Sequence, residues 1–141
     1  MIILDTNVIS EIMKRPDQRS PTVFGWMRAQ KRETLYTTTL TIGEVWAGIE
    51  VRSEGSRKDA IREVAERIFG ALFLDRVLPF DEAAARAYGR VIAWRRRAGV
   101  PIATIDAQIV GVALARGFSI ATRDRDFRDC GAAVIDPWTA A

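Results

Sequence analysis

The sequence contains no histidine, and that absence excludes more chemistry than any single residue suggests. Ser-His-Asp and Cys-His nucleophile schemes fall away together with every imidazole metal site. Cysteine is nearly absent as well: the lone Cys130 can form neither an internal disulfide nor a thiolate zinc cluster, and reads as an inert filler. Lysine is scarce, with Lys14, Lys31 and Lys58 the only ones, so the 21 basic residues that face 18 acidic ones are mostly arginine. Arginine's planar fork suits phosphate better than a lysine point charge does, so the modest net charge of +3 permits a nucleic-acid partner without requiring one. No run approaches the roughly 20 apolar residues of a membrane span. A signal-peptide layout is missing too, because Asp5 interrupts the apolar N-terminus; the expectation is a cytoplasmic chain that starts here and has no membrane contact.

What is present is a length of 141 residues and 48% hydrophobic content, enough for one sizeable core and too little for two, so 1–141 is read as a single domain. The first ten residues organise it. Ile2, Ile3 and Leu4 run straight into Asp5, Thr6 and Asn7, the pattern of a buried strand ending at a polar crevice. Ligands of open α/β sheets sit outside the carboxyl ends of strands, which makes Asp5 a candidate site residue. Asp5 and Asn7 could equally serve as turn formers.

Along the chain, residues 8–13 read as a short helix stopped before Pro16, and Ser20-Pro21 starts a second one that runs to the basic pair Lys31-Arg32. Residues 35–39 are β-branched and aromatic enough for a strand, after which Thr41 caps a third helix with Glu44 at capping-box spacing. Past a polar break at 53–57, Ile61, Val64, Ala65, Ile68 and Leu72 recur at helical spacing. Residues 77–80 form a short strand that Pro79 marks as an edge, and Asp81 caps a long helix to residue 98. Arg86, Arg90 and Arg97 share one face of it, either a solvated surface or an RNA track. Residues 105–116 make another helix closed by Gly117, which feeds a buried strand at 118–122; Val134-Ile135 is the last strand. Strands alternating with helices predict an α/β fold built on mainly parallel pairing. Trp26, Trp46, Trp94 and Trp138 are expected in the core or an interface.

Two of these strands lead into aspartates, Leu4-Asp5 and Ala121-Thr122-Arg123-Asp124. As parallel members of one sheet they would bring their acids to the same rim. Glu44 and Asp106 stand near helix starts with no basic residue one turn on, where Gly48 and Val110 are found. Glu44 can be a capping acid, a site acid or both. Asp124 and Asp126 can be site acids, or loop acids paired with Arg123 and Arg125. Two carboxylates about 4 Å apart repel by about 4 kcal/mol at an effective dielectric of about 20, so a cluster needs protons or a cation. An all-oxygen set favours Mg²⁺ or Mn²⁺ over zinc, and a hard divalent ion at such a rim points to metal-assisted phosphodiester hydrolysis.

The chain also resembles a family. Leu4-Asp5-Thr6-Asn7-Val8-Ile9, then Thr41-Ile42-Gly43-Glu44-Val45 with Gly48, then Ile105-Asp106-Ala107 with Ile109, then Ala121-Thr122-Arg123-Asp124 with Asp126-Phe127 are similar in order and spacing to the PIN-domain ribonucleases. Within them the likeness is to VapC-type toxins of toxin-antitoxin pairs, including the FitB-like branch, and it covers nearly the whole chain. The resemblance implies a three-layer α/β/α fold around a mainly parallel sheet of four to five strands. It implies an acidic quartet of Asp5, Glu44, Asp106 and Asp124, with Asp5 and Asp106 the first metal ligands and Asp126 sharing the ion or holding a second. Thr6 and Asn7 resemble braces of the first acid, and Thr122 the hydroxyl that hydrogen-bonds inside the pocket.

The function implied is an endoribonuclease toxin using Mg²⁺ or Mn²⁺, which leaves a 5′-phosphate and a 3′-hydroxyl on structured RNA such as tRNA or rRNA. A cognate VapB-type antitoxin is implied as inhibitor, its C-terminal segment placing arginine or apolar residues in the acidic groove. A homodimer is expected, with a heterotetramer or larger assembly in the antitoxin complex, because Trp46, Ile49 and Val51 would otherwise be exposed. Competing folds fit less well. A phosphoryl-receiving domain needs a lysine after a late strand, and a haloacid-dehalogenase-like phosphatase needs an aspartate where Asn7 stands. A catalytically silent PIN domain acting as an interaction module is the alternative that keeps the fold.

Overall fold

The computed structural model describes residues 1–140. In chain order it forms β1 (Ile2–Leu4), α1 (Thr6–Met13), α2 (Pro21–Ala29), β2 (Leu35–Thr38), α3 (Thr39–Glu50) and α4 (Ser56–Arg67). There follow β3 (Val77–Leu78), α5 (Glu82–Arg97), α6 (Thr104–Arg116), β4 (Ser119–Ala121) and β5 (Val134–Ile135). Every pairing is parallel and the sheet order is β3-β2-β1-β4-β5, which puts the apolar N-terminal strand at the centre. The edge position expected for the Pro79 strand is where β3 lies.

Because side chains alternate along a strand, Ile3 and Leu4 enter different cores. Leu4 packs with Val8, Ile9, Val23, Val45 and Ala65 under α1 to α4. Ile3 packs with Ala84, Val91, Ile109 and Val112 under α5 and α6. The three-layer α/β/α arrangement follows. Full burial of both residues makes each worth about 1.5–3 kcal/mol of transfer free energy.

The α5–α6 contact is backbone-close: a Cβ at Gly111 would stand 2.6 Å from the Ala84 carbonyl oxygen. Gly117 ends α6 with φ of 66°, the left-handed conformation its position requires. Among the described residues no helix is long and apolar enough to cross a membrane.

Several boundaries move from those expected. Helix α1 begins at Thr6 rather than at residue 8, with Asp5 in the N-cap position, and α2 stops at Ala29 instead of reaching Lys31-Arg32. Strand β2 ends at Thr38, whose hydroxyl caps α3 by accepting the Thr41 N–H at 3.0 Å. Thr41 is therefore inside the helix and no capping box forms with Glu44. Beyond α4 the chain widens into a π-turn, Ile68–Leu72, and the Arg32 and Arg76 guanidiniums donate to its Ala71 and Leu72 carbonyls.

The tryptophans divide: Trp26 is buried and Trp94 exposed. Ile49 is also buried, so of the three apolar residues expected at a dimer face only Val51 is fully open. Cys130 is buried, and burial pushes its thiol above the usual range, as an inert filler requires.

Candidate active site

β1 turns towards β2 on one side and β4 on the other, and this switch in strand order opens a crevice at the carboxyl ends. Leu4 stands opposite Ala121 in the register, so Asp5 and Thr122 emerge side by side. Helices α1, α3 and α6 all start at this rim, so three helix N-termini border the crevice. Their partial positive charge favours anions there.

Asp5 is buried and its Oδ2 accepts two bonds, from Thr122 Oγ1 at 2.8 Å and from Asn7 Nδ2 at 2.9 Å. Asn7 Nδ2 also donates to Thr122 Oγ1 at 2.7 Å. That hydroxyl accepts the Asp124 N–H at 3.0 Å as well, so Thr122 ties the first acid to the acidic turn. Thr6 serves two acids: its N–H bonds the Asp5 carboxylate, as a brace of the first acid does, and its hydroxyl donates to Glu44 Oε2.

Asp124 accepts the Asp126 N–H at 2.9 Å and opens a short 3-10 turn, Arg125–Phe127. Asp106 lies in the first turn of α6. Asp106, Asp124 and Asp126 each offer an oxygen within 4.8 Å of the others. Asp5 and Glu44 stand outside that closest triad, yet both act electrostatically on Asp106. Burial pushes Asp5 up to about 6, against the lowering effect of the Thr122 hydroxyl and the Thr6 N–H, with Glu44 and Asp124 adding to the rise. Asp106 is also pushed up to about 6, by burial first and then by Asp5, Asp124, Glu44 and Asp126.

Among the described residues, neither Asp124 nor Asp126 pairs with Arg123 or Arg125, as loop acids would. Arg123 lies instead over the Trp138 ring, 4.6 Å from its centroid. On α5, Arg86, Arg90 and Arg97 are exposed, with Arg86 bonded to Glu82 at 2.7 Å. The arginine that turns inward is Arg95, which the stripe spacing skips. Its guanidinium donates to the carbonyls of Asp126 and Arg128.

A groove of about 650 Å³ opens beside Thr6 and Glu44, lined by apolar Met13, Ile61 and Val64 and by basic Lys14, Arg52 and Arg57.

The donor set fits a hard divalent cation. It is all oxygen, three of its carboxylates are within bridging distance, and two acids are held above their ordinary range by burial and one another. Asn7 Oδ1 is buried without a hydrogen-bond partner, one more acceptor beside an acid-rich crevice. This arrangement can bind an ion and orient water towards a phosphate.

Residues 2–132 match the family model described as PIN domain. Over 143 residues the chain is 46% identical to the plasmid stability protein StbB of Pseudomonas syringae pv. tomato, covering 99% of this chain and all of that one. It is 38% identical to the VapC ribonuclease Y4jK of Sinorhizobium fredii over the full length of both. With the toxin FitB of Neisseria gonorrhoeae it shares 34% identity over 98% of this chain and 99% of that one. The solved structure of FitAB bound to an IR36 DNA fragment superposes with a TM-score of 0.91 at 33% identity, over all of this chain and 98% of that one.

Proposed function

The chain belongs to the PIN-domain family, and from that premise we propose that it is a VapC-type toxin, a metal-dependent endoribonuclease restrained by a cognate antitoxin. The observation that carries this reading is the convergence of Asp5, Glu44, Asp106, Asp124 and Asp126 at the switch point, with no lysine or arginine paired to any of them among the described residues. A silent interaction module has no use for so many uncompensated charges.

Asp106, Asp124 and Asp126, with Asp5, would hold Mg²⁺ or Mn²⁺. When bound, such an ion supplies Lewis acidity towards a phosphodiester and lowers the pKa of water. The chain's own residues do the rest. Asn7 and Thr122 hold Asp5 Oδ2 and the Thr6 N–H bonds the same carboxylate, which fixes its orientation towards a ligand. Thr6 occupies Glu44 Oε2, so Oε1 is the oxygen left to orient an attacking water and take up its proton. The N-termini of α1, α3 and α6 attract the phosphate anion.

The substrate is RNA, structured tRNA or rRNA in this reading, cut to a 5′-phosphate and a 3′-hydroxyl in the cytoplasm. The antitoxin's terminal segment enters the groove beside Glu44, its apolar side chains on Met13, Ile61 and Val64 and a guanidinium where the ion would sit. A toxin homodimer, doubled to a heterotetramer or larger by antitoxin, completes the assembly.

The test is 5′-end sequencing of cellular RNA after brief expression of the chain and of its Asp5→Ala variant. New 5′-ends that appear only with the unaltered chain support the reading. Identical RNA ends in both cultures contradict it.

A further inference from the structure

We propose that Arg95 is a positioning residue that sets the orientation of the acidic turn carrying Asp124 and Asp126, and thereby the affinity of the site for its divalent ion. The inference rests on the metal-nuclease reading and adds to it a residue outside the acidic constellation.

Arg95 belongs to α5, which carries none of the five crevice acids, and it is 7% exposed. Nη1 donates to the Arg128 carbonyl at 2.9 Å and Nη2 to the Asp126 carbonyl at 3.2 Å. Nε is buried without a partner, and no carboxylate pairs with the guanidinium among the described residues. Burying a cation on carbonyl dipoles alone is a costly way to pack a helix against a turn, and an apolar side chain of similar volume would do so at lower cost. What the guanidinium adds is geometry.

The carbonyls it grips flank Phe127, which is fully buried. Phe127 fixes how deep the turn sits, and the Phe127 and Arg128 N–H groups close the turn on the Asp124 and Arg125 carbonyls at 3.3 and 3.0 Å, but none of these hydrogen bonds fixes how the closed turn is rotated against α5. A rigid two-pronged donor removes that rotation. At the other end of the turn, Thr122 Oγ1 holds the Asp124 N–H, so the two acids lie on a segment clamped at both ends. Partners that orient metal ligands from behind typically matter 10- to 100-fold for affinity.

The experiment uses the full-length chain, stripped of metal and titrated with Mn²⁺ in a calorimeter well below the melting temperature, with circular dichroism confirming the fold. Arg95→Met is expected to bind Mn²⁺ about 10- to 100-fold more weakly than the unaltered chain. Arg95→Lys, which reaches one carbonyl, is expected to fall between the two. A merely structural role would lower the melting temperature and leave the affinity of folded protein unchanged, so unaltered affinity in Arg95→Met overturns the proposal. Should Arg95→Met not fold, Arg95→Lys decides alone: weakened binding supports the proposal, and full affinity overturns it. Failure of the unaltered chain itself to bind Mn²⁺ overturns the metal-nuclease reading, and this inference with it, independently of any Arg95 variant.

Discussion

Helix α3 runs through two kinds of charged surroundings. At its last residue, Glu50 meets Lys58 at 3.2 Å and Arg62 at 3.2 Å, while Lys58 also takes Glu54 at 2.5 Å and Arg62 takes Asp59 at 3.1 Å. Each of these five charges has an opposite charge beside it. Nearer its start, Glu44 faces a crevice of four aspartates whose donors, among the described residues, are hydroxyls, an amide and backbone N–H groups. The chain has 21 basic residues, and among the described residues none is placed there as an ion-pair partner. The protonation behaviour diverges accordingly. Bonds from Lys58 and then Arg62 hold Glu50 below its ordinary range, whereas burial and mutual repulsion push Asp5 and Asp106 up. A corner neutralised from within serves the fold; a crevice left negative is completed from outside.

The strongest way to break this contrast is Asp106→Ala, which should lower RNA cleavage more than about 100-fold, beyond the usual range for residues behind a metal ligand, with the circular dichroism spectrum unchanged. Near-normal turnover would mean that the triad is incidental.

Next in size is the pH dependence of the metal-free chain. Asp5 rises from an ordinary 3.8 to about 6 in the folded state, so between those values the folded chain binds more protons than the unfolded one. Stability then falls as pH rises through that window and stays low above it, by about 3 kcal/mol for one group shifted by about two units. Glu50 and Asp81 are shifted the other way, and what they contribute is lost only as pH falls below their ordinary values. In chelator, the melting temperature should therefore increase from pH 7.5 towards about pH 5, and saturating Mn²⁺ should remove most of that difference. A flat profile in chelator would remove the electrostatic argument.

The neutralised corner supplies a smaller effect. Lys58→Met should lower the melting temperature modestly while its Mn²⁺ response and cleavage rate stay at the level of the unaltered chain, measured by thermal denaturation and single-turnover assays. Least of all, neutralising Arg90 and Arg97 together should raise KM about two- to threefold at low salt without changing kcat, an effect that fades as salt screens phosphate contacts. No change at low salt would return that face to plain solvation.

Much of this contrast is legible in the sequence. The step from Leu4 to Asp5 marks the central strand and the crevice together, because a three-residue apolar strand ending in an acid has few places to sit. Asp81 and Gly117 declare helix ends by chemistry that acts within a turn of the chain. Thr38 does not. Thr38 and Thr41 carry the same capping hydroxyl, and the choice between them is made by the pairing of β2 with β3, about 40 residues away in sequence. Adjacency in sequence assigns Thr6 to Asp5, and its N–H keeps that place, yet its hydroxyl finds Glu44, 38 residues on. Arg95 escapes a sequence reading because periodicity sorts a helix into faces and cannot say which arginine will find carbonyls waiting. Local rules thus place the acids, while the donors that hold them depend on which elements the fold brings together.

The decisive measurement incubates RNA with the purified chain after metal has been stripped from it, then restores Mn²⁺, alongside the Asp5→Ala variant. No cleavage is expected in chelator, cuts bearing 5′-phosphates are expected once Mn²⁺ is restored, and Asp5→Ala should make no cuts in either condition. Cleavage that persists in chelator, or that Asp5→Ala performs as well as the unaltered chain, would contradict the metal-nuclease reading.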